Sequence, residues 1–66
     1  MPLIQVTLRA GRSPEQLRAL ISALTDAAVE AIGAPKPTVR VVLHEVPATH
    51  WAAGDVTLAE RMSSDA

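Results

Sequence analysis

Ser13-Pro14-Glu15-Gln16-Leu17-Arg18-Ala19-Leu20-Ile21-Ser22-Ala23-Leu24-Thr25-Asp26-Ala27-Ala28-Val29-Glu30-Ala31-Ile32-Gly33 is the stretch on which the fold turns. Ser13 suits an N-cap. Pro14 suits the first helical position, where its missing N–H would have had no partner, and Gln16 completes a capping box. Leu17, Leu20, Ile21, Leu24, Ala28, Ala31 and Ile32 recur at spacings of three and four, which lines one face of a helix. Gly33 supplies the C′ residue, and Pro35 prevents continuation. The spacing predicts an amphipathic helix over residues 14–32.

On either side of this helix the apolar period drops to two. From Leu3 to Arg9, Ile4, Val6 and Leu8 share one face while Gln5, Thr7 and Arg9 share the other. From Val39 to Val46, Val39, Val41 and Leu43 alternate with Arg40, Val42 and His44. Strand, long helix and strand make a β-α-β unit with parallel strands and a right-handed crossover. Pro47 to Asp55 reads as a turn and a short extended segment, with Gly54-Asp55 as a tight turn of a C-terminal hairpin. From Thr57 the pattern is weakly helical at best, and residues 61–66 are expected to form a frayed tail. The fold class is α+β, in a single domain over residues 1–66.

A chain of 66 residues buries only about 60% of the surface its unfolded form exposes, so a stabilising device is needed. With no cysteine there is no disulfide and no thiolate ligand. His44 and His50 are too few for a structural metal. One helix covers one face of two strands and leaves the other face bare, so the sheet is expected to be completed by oligomerisation. Six basic and seven acidic residues give a net charge of −1, with no footprint for nucleic acid or an anionic membrane. The apolar runs are too short to span a bilayer, and Met1-Pro2-Leu3-Ile4-Gln5 lacks the pattern of a signal peptide, which points to a cytoplasmic protein.

Catalytic options are scarce. There is no cysteine or tyrosine, the only lysine, Lys36, sits between two prolines, and the three glycines are isolated. The two histidines lack metal-site spacing, and Ser13 is better used as a cap than in a triad. What remains is Pro2 with well-placed arginines. Removal of Met1 would leave Pro2 with a secondary amine at the first residue of a strand. Burial and nearby cations disfavour the charged form of an amine, which makes it a base able to take up and return a proton near neutral pH.

Pro2, the alternating strand, Gly11-Arg12-Ser13-Pro14-Glu15-Gln16, the long helix, Ala34-Pro35, Val39-Arg40-Val41-Val42, Glu45 and His50-Trp51 together resemble the 4-oxalocrotonate tautomerase family. The resemblance covers roughly residues 2–51. It implies a homo-oligomer, commonly a hexamer built as a trimer of dimers, whose pockets draw residues from neighbouring subunits. It implies an isomerase that needs no cofactor and no metal, acting on a small carboxylic acid of the 2-hydroxymuconate kind, as in the catabolism of aromatic compounds. Pro2 would be the general base and acid, and Arg40 would polarise the carbonyl and stabilise the enolate. Arg12 would bind a substrate carboxylate, and Trp51 would wall the pocket where the family usually has phenylalanine.

The chain departs from the family pattern in three places. Ala52-Ala53-Gly54-Asp55 replaces a glycine-rich turn, the end of the chain is not basic, and Arg9 stands where an apolar residue is usual. Arg9 with Arg12 resembles the arginine pair of the related 3-chloroacrylic acid dehalogenases, which makes Arg9 a further substrate-binding candidate. It also makes a hydratase or dehalogenase the alternative reading, although the carboxylate that such chemistry needs has only Glu45 and Asp55 as candidates. Arginines on a strand face are also what solvated surfaces carry. A non-catalytic binding subunit, with Met1 retained and the Pro2 nitrogen locked in an amide, is the reading from a different class.

Overall fold

The computed structural model describes residues 1–64. Its elements are β1 (Leu3–Arg9), α1 (Pro14–Ile32), β2 (Arg40–Val46), a hairpin of β3 (Ala52–Ala53) and β4 (Val56–Thr57), and α2 (Leu58–Ser64). Single 3-10 turns, Lys36–Thr38 and Ala48–His50, flank β2.

The ends of α1 fall where the sequence puts them. Ser13 Oγ accepts from the Gln16 N–H at 3.2 Å, and Gln16 Oε1 accepts from the Ser13 N–H at 3.0 Å, closing the capping box. Gly33 takes a left-handed φ of 67°, and its N–H donates to Val29 O at 3.0 Å.

The two long strands pair in parallel, from Leu3 opposite Arg40 to Arg9 opposite Val46. β2 starts one residue later than the alternation suggests. The Val39 N–H donates back to Lys36 O in the preceding 3-10 turn, and the Arg40 N–H makes the first bond across the ladder, to Pro2 O at 2.9 Å. Ile4, Val6, Leu8, Val41 and Leu43 are half-buried, as are Leu17, Leu20, Ile21, Leu24 and Ala28 of α1. The opposite face of the ladder presents Leu3, Gln5, Thr7, Arg40, Val42 and His44 to solvent.

One layer of helix on two strands makes a poor core. Among the described residues Ala34, 9% exposed, is the one buried hydrophobic residue. Leu3 is 58% exposed and Ile32 68%. At about 1.5 Å per residue α1 is close to 28 Å long against roughly 20 Å for the strands, and Ala31 and Ile32 in its last turn are exposed. The radius of gyration is 15.4 Å, where a compact chain of this length has roughly 11 Å. The accessible surface is 4814 Å² against about 4000 Å² for a folded monomer of this mass. This is the shape of a subunit.

The hairpin turns through Gly54 (φ 59°) and Asp55 (φ 68°), both left-handed, as a two-residue turn between twisted strands requires. Ala52 pairs with Thr57 and Ala53 with Val56. The loss of family glycines before Gly54 therefore leaves a hairpin in place.

The end of the chain differs from the weak helicity and frayed tail expected of it. α2 forms because Thr57 Oγ1 caps it, accepting from the Glu60 N–H at 3.1 Å. The Leu58 N–H donates to Trp51 O at 2.7 Å and ties the helix to the segment before the hairpin. Residues 65 and 66 of the expected tail lie outside the described residues. Among the described residues no helix is long and apolar enough to cross a membrane.

Two stability outcomes follow. Ser13→Ala removes one half of the capping box and lowers stability by about 1 kcal/mol, read from denaturant unfolding at fixed protein concentration. Val42→Glu puts a charge at the centre of the bare face. It shifts the sedimentation profile toward smaller species and makes the melting temperature fall on dilution; a profile identical to that of the parent protein would show that this face stays open to water.

Candidate active site

The five residues singled out in the sequence fall into two groups at opposite ends of the β1–β2 ladder. At the start of the strands stand Pro2, half-buried, and Arg40, whose backbone N–H donates to Pro2 O. The Arg40 guanidinium is exposed and held by a bond from Nη1 to Pro37 O at 2.8 Å. The 3-10 turn that delays β2 by one residue thus also supplies the acceptor that orients the arginine.

At the other end stand Arg9, Arg12 and Trp51. Arg9 closes β1, the Ala10 N–H extends the ladder by donating to Val46 O at 2.8 Å, and Arg12 follows just before the cap of α1. Arg12 Nη1 donates to Arg9 O at 2.9 Å, which lays its side chain back along the strand end. Arg9 Nη1 in turn donates to Met62 Sδ of α2 at 3.3 Å. Trp51, 40% exposed, lines a pocket of about 270 Å³ together with Thr7, Val46, His50 and Ala52. Thr7 and Val46 both rise from the bare face, so the pocket opens on the side of the sheet that α1 leaves uncovered. A larger depression of about 460 Å³ lies on the outer side of α1, lined by Pro14, Glu15, Arg18, Ala19 and Ser22. It is wide open to solvent and holds none of the candidate residues.

Arg9, Arg12 and Arg40 each spend a hydrogen bond on a neutral atom, respectively Met62 Sδ, Arg9 O and Pro37 O. Their charge is left unmatched by any carboxylate among the described residues. Each keeps several of its five N–H donors for an external anion. Seven strand residues at about 3.3 Å each put the two groups roughly 20 Å apart. One chain therefore cannot apply both groups to the same small acid.

Among the described residues no three of His, Cys, Asp and Glu gather where a metal ion could be held. The residues the sequence reading passed over are Met62, against Arg9, and the pocket-lining Thr7, Val46 and His50. Thr57-Leu58-Ala59-Glu60, with the spacing of a capping box, was the signal for the helix that brings Met62 there.

The model of the family described as tautomerase enzyme matches residues 2–61. This chain belongs to the tautomerase family. It is 57% identical over 85% of its length to a protein of Ralstonia nicotianae named as a probable tautomerase, of which the match covers 80%. It is 45% identical to a 2-hydroxymuconate tautomerase of Comamonas testosteroni, over 91% of this chain and 95% of the relative. Among solved structures it is similar to TomN, a 4-oxalocrotonate tautomerase homologue of the tomaymycin biosynthetic pathway, with a TM-score of 0.94 at 48% identity over 98% of this chain and all of that one. A heterohexameric 4-oxalocrotonate tautomerase from Chloroflexus aurantiacus superposes with a TM-score of 0.87 at 43% identity, over 91% of this chain and 97% of that one. The β-α-β unit, the hairpin and the short last helix are thus those of a small tautomerase subunit.

Proposed function

We propose that this tautomerase isomerises small unsaturated keto or enol acids of the 2-hydroxymuconate kind, with the Pro2 nitrogen, freed by removal of Met1, as base and acid. The observation that carries the reading is the division of unmatched guanidiniums between the two ends of one ladder, in a chain of this family. The amine takes the proton, from the carbon α to the ketone in a β,γ-unsaturated keto acid or from the hydroxyl of the dienol in 2-hydroxymuconate, leaving one dienolate in either case, and the protonated amine returns the proton at the distal carbon. Arg40, beside Pro2, offers a fixed cation to the enolate oxygen as its charge develops, which favours the transition state over the ground state. Arg12, with Arg9 beside it, grips a carboxylate, for which the planar guanidinium fork is suited. Trp51 supplies an apolar wall that strengthens these charges and favours the neutral amine.

The separation of the two groups makes assembly part of this reading. In a pair of copies related by a two-fold axis that crosses the strands, the strands of one run antiparallel to those of the other, so the start of one ladder lies beside the end of its partner's. Pro2 and Arg40 then come from one copy or one pair, and Arg12, Arg9 and Trp51 from another. A hexamer offers such junctions repeatedly, and the hexameric relative supports that state.

A second reading has its own observation. Arg12 packs against the backbone of Arg9, so two guanidinium-bearing residues meet at one strand end, as a hydratase or dehalogenase of 3-haloacrylate-type acids would use them. Chloride release from 3-chloroacrylate separates this reading from the first. Intact mass separates both from a binding subunit that keeps Met1.

Ketonisation of 2-hydroxymuconate, followed by ultraviolet absorbance, tests the assignment. Pro2→Ala lowers kcat at least about a hundredfold, and Arg40→Ala mainly lowers kcat by about the same factor. Arg12→Ala mainly raises KM, about tenfold or more. Equal, small effects at all three positions would remove the site from this ladder. Co-refolding Pro2→Ala and Arg12→Ala chains in equal amounts, assayed at substrate well below KM where both variants are weak, restores about a quarter of the parent activity if each pocket draws on two copies. Restoration of none would place both residues of a pocket on one chain.

A further inference from the structure

Arg9 belongs to the carboxylate-binding end of the site in the reading above, and the following rests on that reading. The Arg9–Met62 contact is a side-chain hydrogen bond that joins β1 to the C-terminal helix. Its partners lie 53 residues apart in the chain, and Met62 is 51% exposed, so burial alone does not account for where its sulfur sits. α2 is itself fixed. The Leu58 N–H donates to Trp51 O at 2.7 Å, Thr57 Oγ1 caps its first turn, and Arg61 Nη2 donates to Ala53 O at 3.3 Å. The helix is thus anchored on the segment that carries the pocket wall, and Met62 reaches from it to the strand that carries the cation.

Arg9 lies two residues beyond the pocket-lining Thr7 on the same face of β1, about 7 Å along the strand. A free exposed arginine loses much of its rotamer freedom when it binds an anion. A thioether is a weak acceptor that occupies one of the five guanidinium donors and leaves the rest free. Such a contact narrows the rotamers of Arg9 before a ligand arrives and competes little with a carboxylate, so less freedom is lost on binding.

We propose that Met62 is a positioning residue for Arg9: its sulfur holds the guanidinium beside the Trp51 pocket, and through it α2 sets a preference for acids bearing a second carboxylate. Arg12 would serve any acid whose carboxylate reaches that strand end. Arg9, kept in place by Met62, would add the further grip that rewards a charged distal group.

The test compares 2-hydroxymuconate with 2-hydroxyhexa-2,4-dienoate, the same enol acid with a methyl group in place of the distal carboxylate. The quantity read is the ratio of kcat/KM for diacid over monoacid. Arg9→Ala lowers the ratio about tenfold through a higher KM for the diacid. Met62→Leu keeps the apolar bulk without an acceptor and lowers the ratio roughly threefold, again in KM. Met62→Gln restores an acceptor at similar reach and returns the ratio to the parent value. An unchanged ratio in Arg9→Ala would remove Arg9 from the substrate site, and the reading of Proposed function would lose that residue. A lowered ratio in Arg9→Ala with Met62→Leu at the parent value, or with Met62→Gln no better than Met62→Leu, would overturn the role of Met62 alone.

Discussion

The bare face of the β1–β2 ladder is the constraint on which the rest of this molecule depends. A helix can cover one side of two strands and no more. Among the described residues the chain adds to that unit a hairpin of two two-residue strands and a seven-residue helix. Leu3 and Val42 are left in solvent, and the subunit is wider and more exposed than a self-sufficient domain of its length. Both strands also keep an unpaired edge, a row of backbone groups that a second copy can satisfy. The physical need for a partner is therefore written into the simplest feature of the fold, the count of its layers.

The same ladder decides where chemistry can sit. Parallel pairing gathers the strand starts at one end and the strand ends at the other. Pro2 and Arg40 meet because the first bond of the ladder joins them. Arg9 and Arg12 meet because the chain must leave β1 and enter α1 within a few residues. Arg12 is poorly placed for the helix, since a cation just before an N-terminus opposes the helix dipole. That placement costs stability and favours an anion at the same spot, in keeping with the carboxylate-binding role proposed for Arg12. A stability account alone would put an acidic residue at position 12.

The legible parts of this structure are those that local patterns determine. The boundaries of α1 follow from Ser13, Gln16 and Gly33, whose side-chain and backbone geometry is set within one turn. The strands follow from strict alternation, and β2 shifts by one residue only because a 3-10 turn takes the Val39 N–H, a competition that residue types do not announce. α2 was legible only as weak helicity for a different reason. Its Thr57-to-Glu60 cap follows directly on a two-residue strand, and seven residues are too few for periodicity to register. The candidate site was legible as a set of residue types, but its division between two ends of the ladder was legible only in part. The strand Leu3–Arg9 by itself holds Pro2 and Arg12 apart, but that Arg40 comes beside Pro2 follows only from the pairing register.

In the proposed assembly stability and catalysis share one interface. A subunit whose apolar face is open and whose cationic residues are split has two deficits, and one event, the arrival of another copy, can remove both. Closing the bare face covers the pocket lined by Thr7, Val46 and Trp51, because that pocket opens on the same side. Excluding water there strengthens every interaction of the arginines with a bound acid. A short chain with no cysteine and one aromatic residue could hardly afford separate surfaces for holding together and for doing chemistry. The proposal has a consequence for the residues themselves: those on the bare face would answer to packing and to substrate at once. A change such as Thr7→Val, neutral on an ordinary strand, would here alter both the fit between copies and the lining of the pocket.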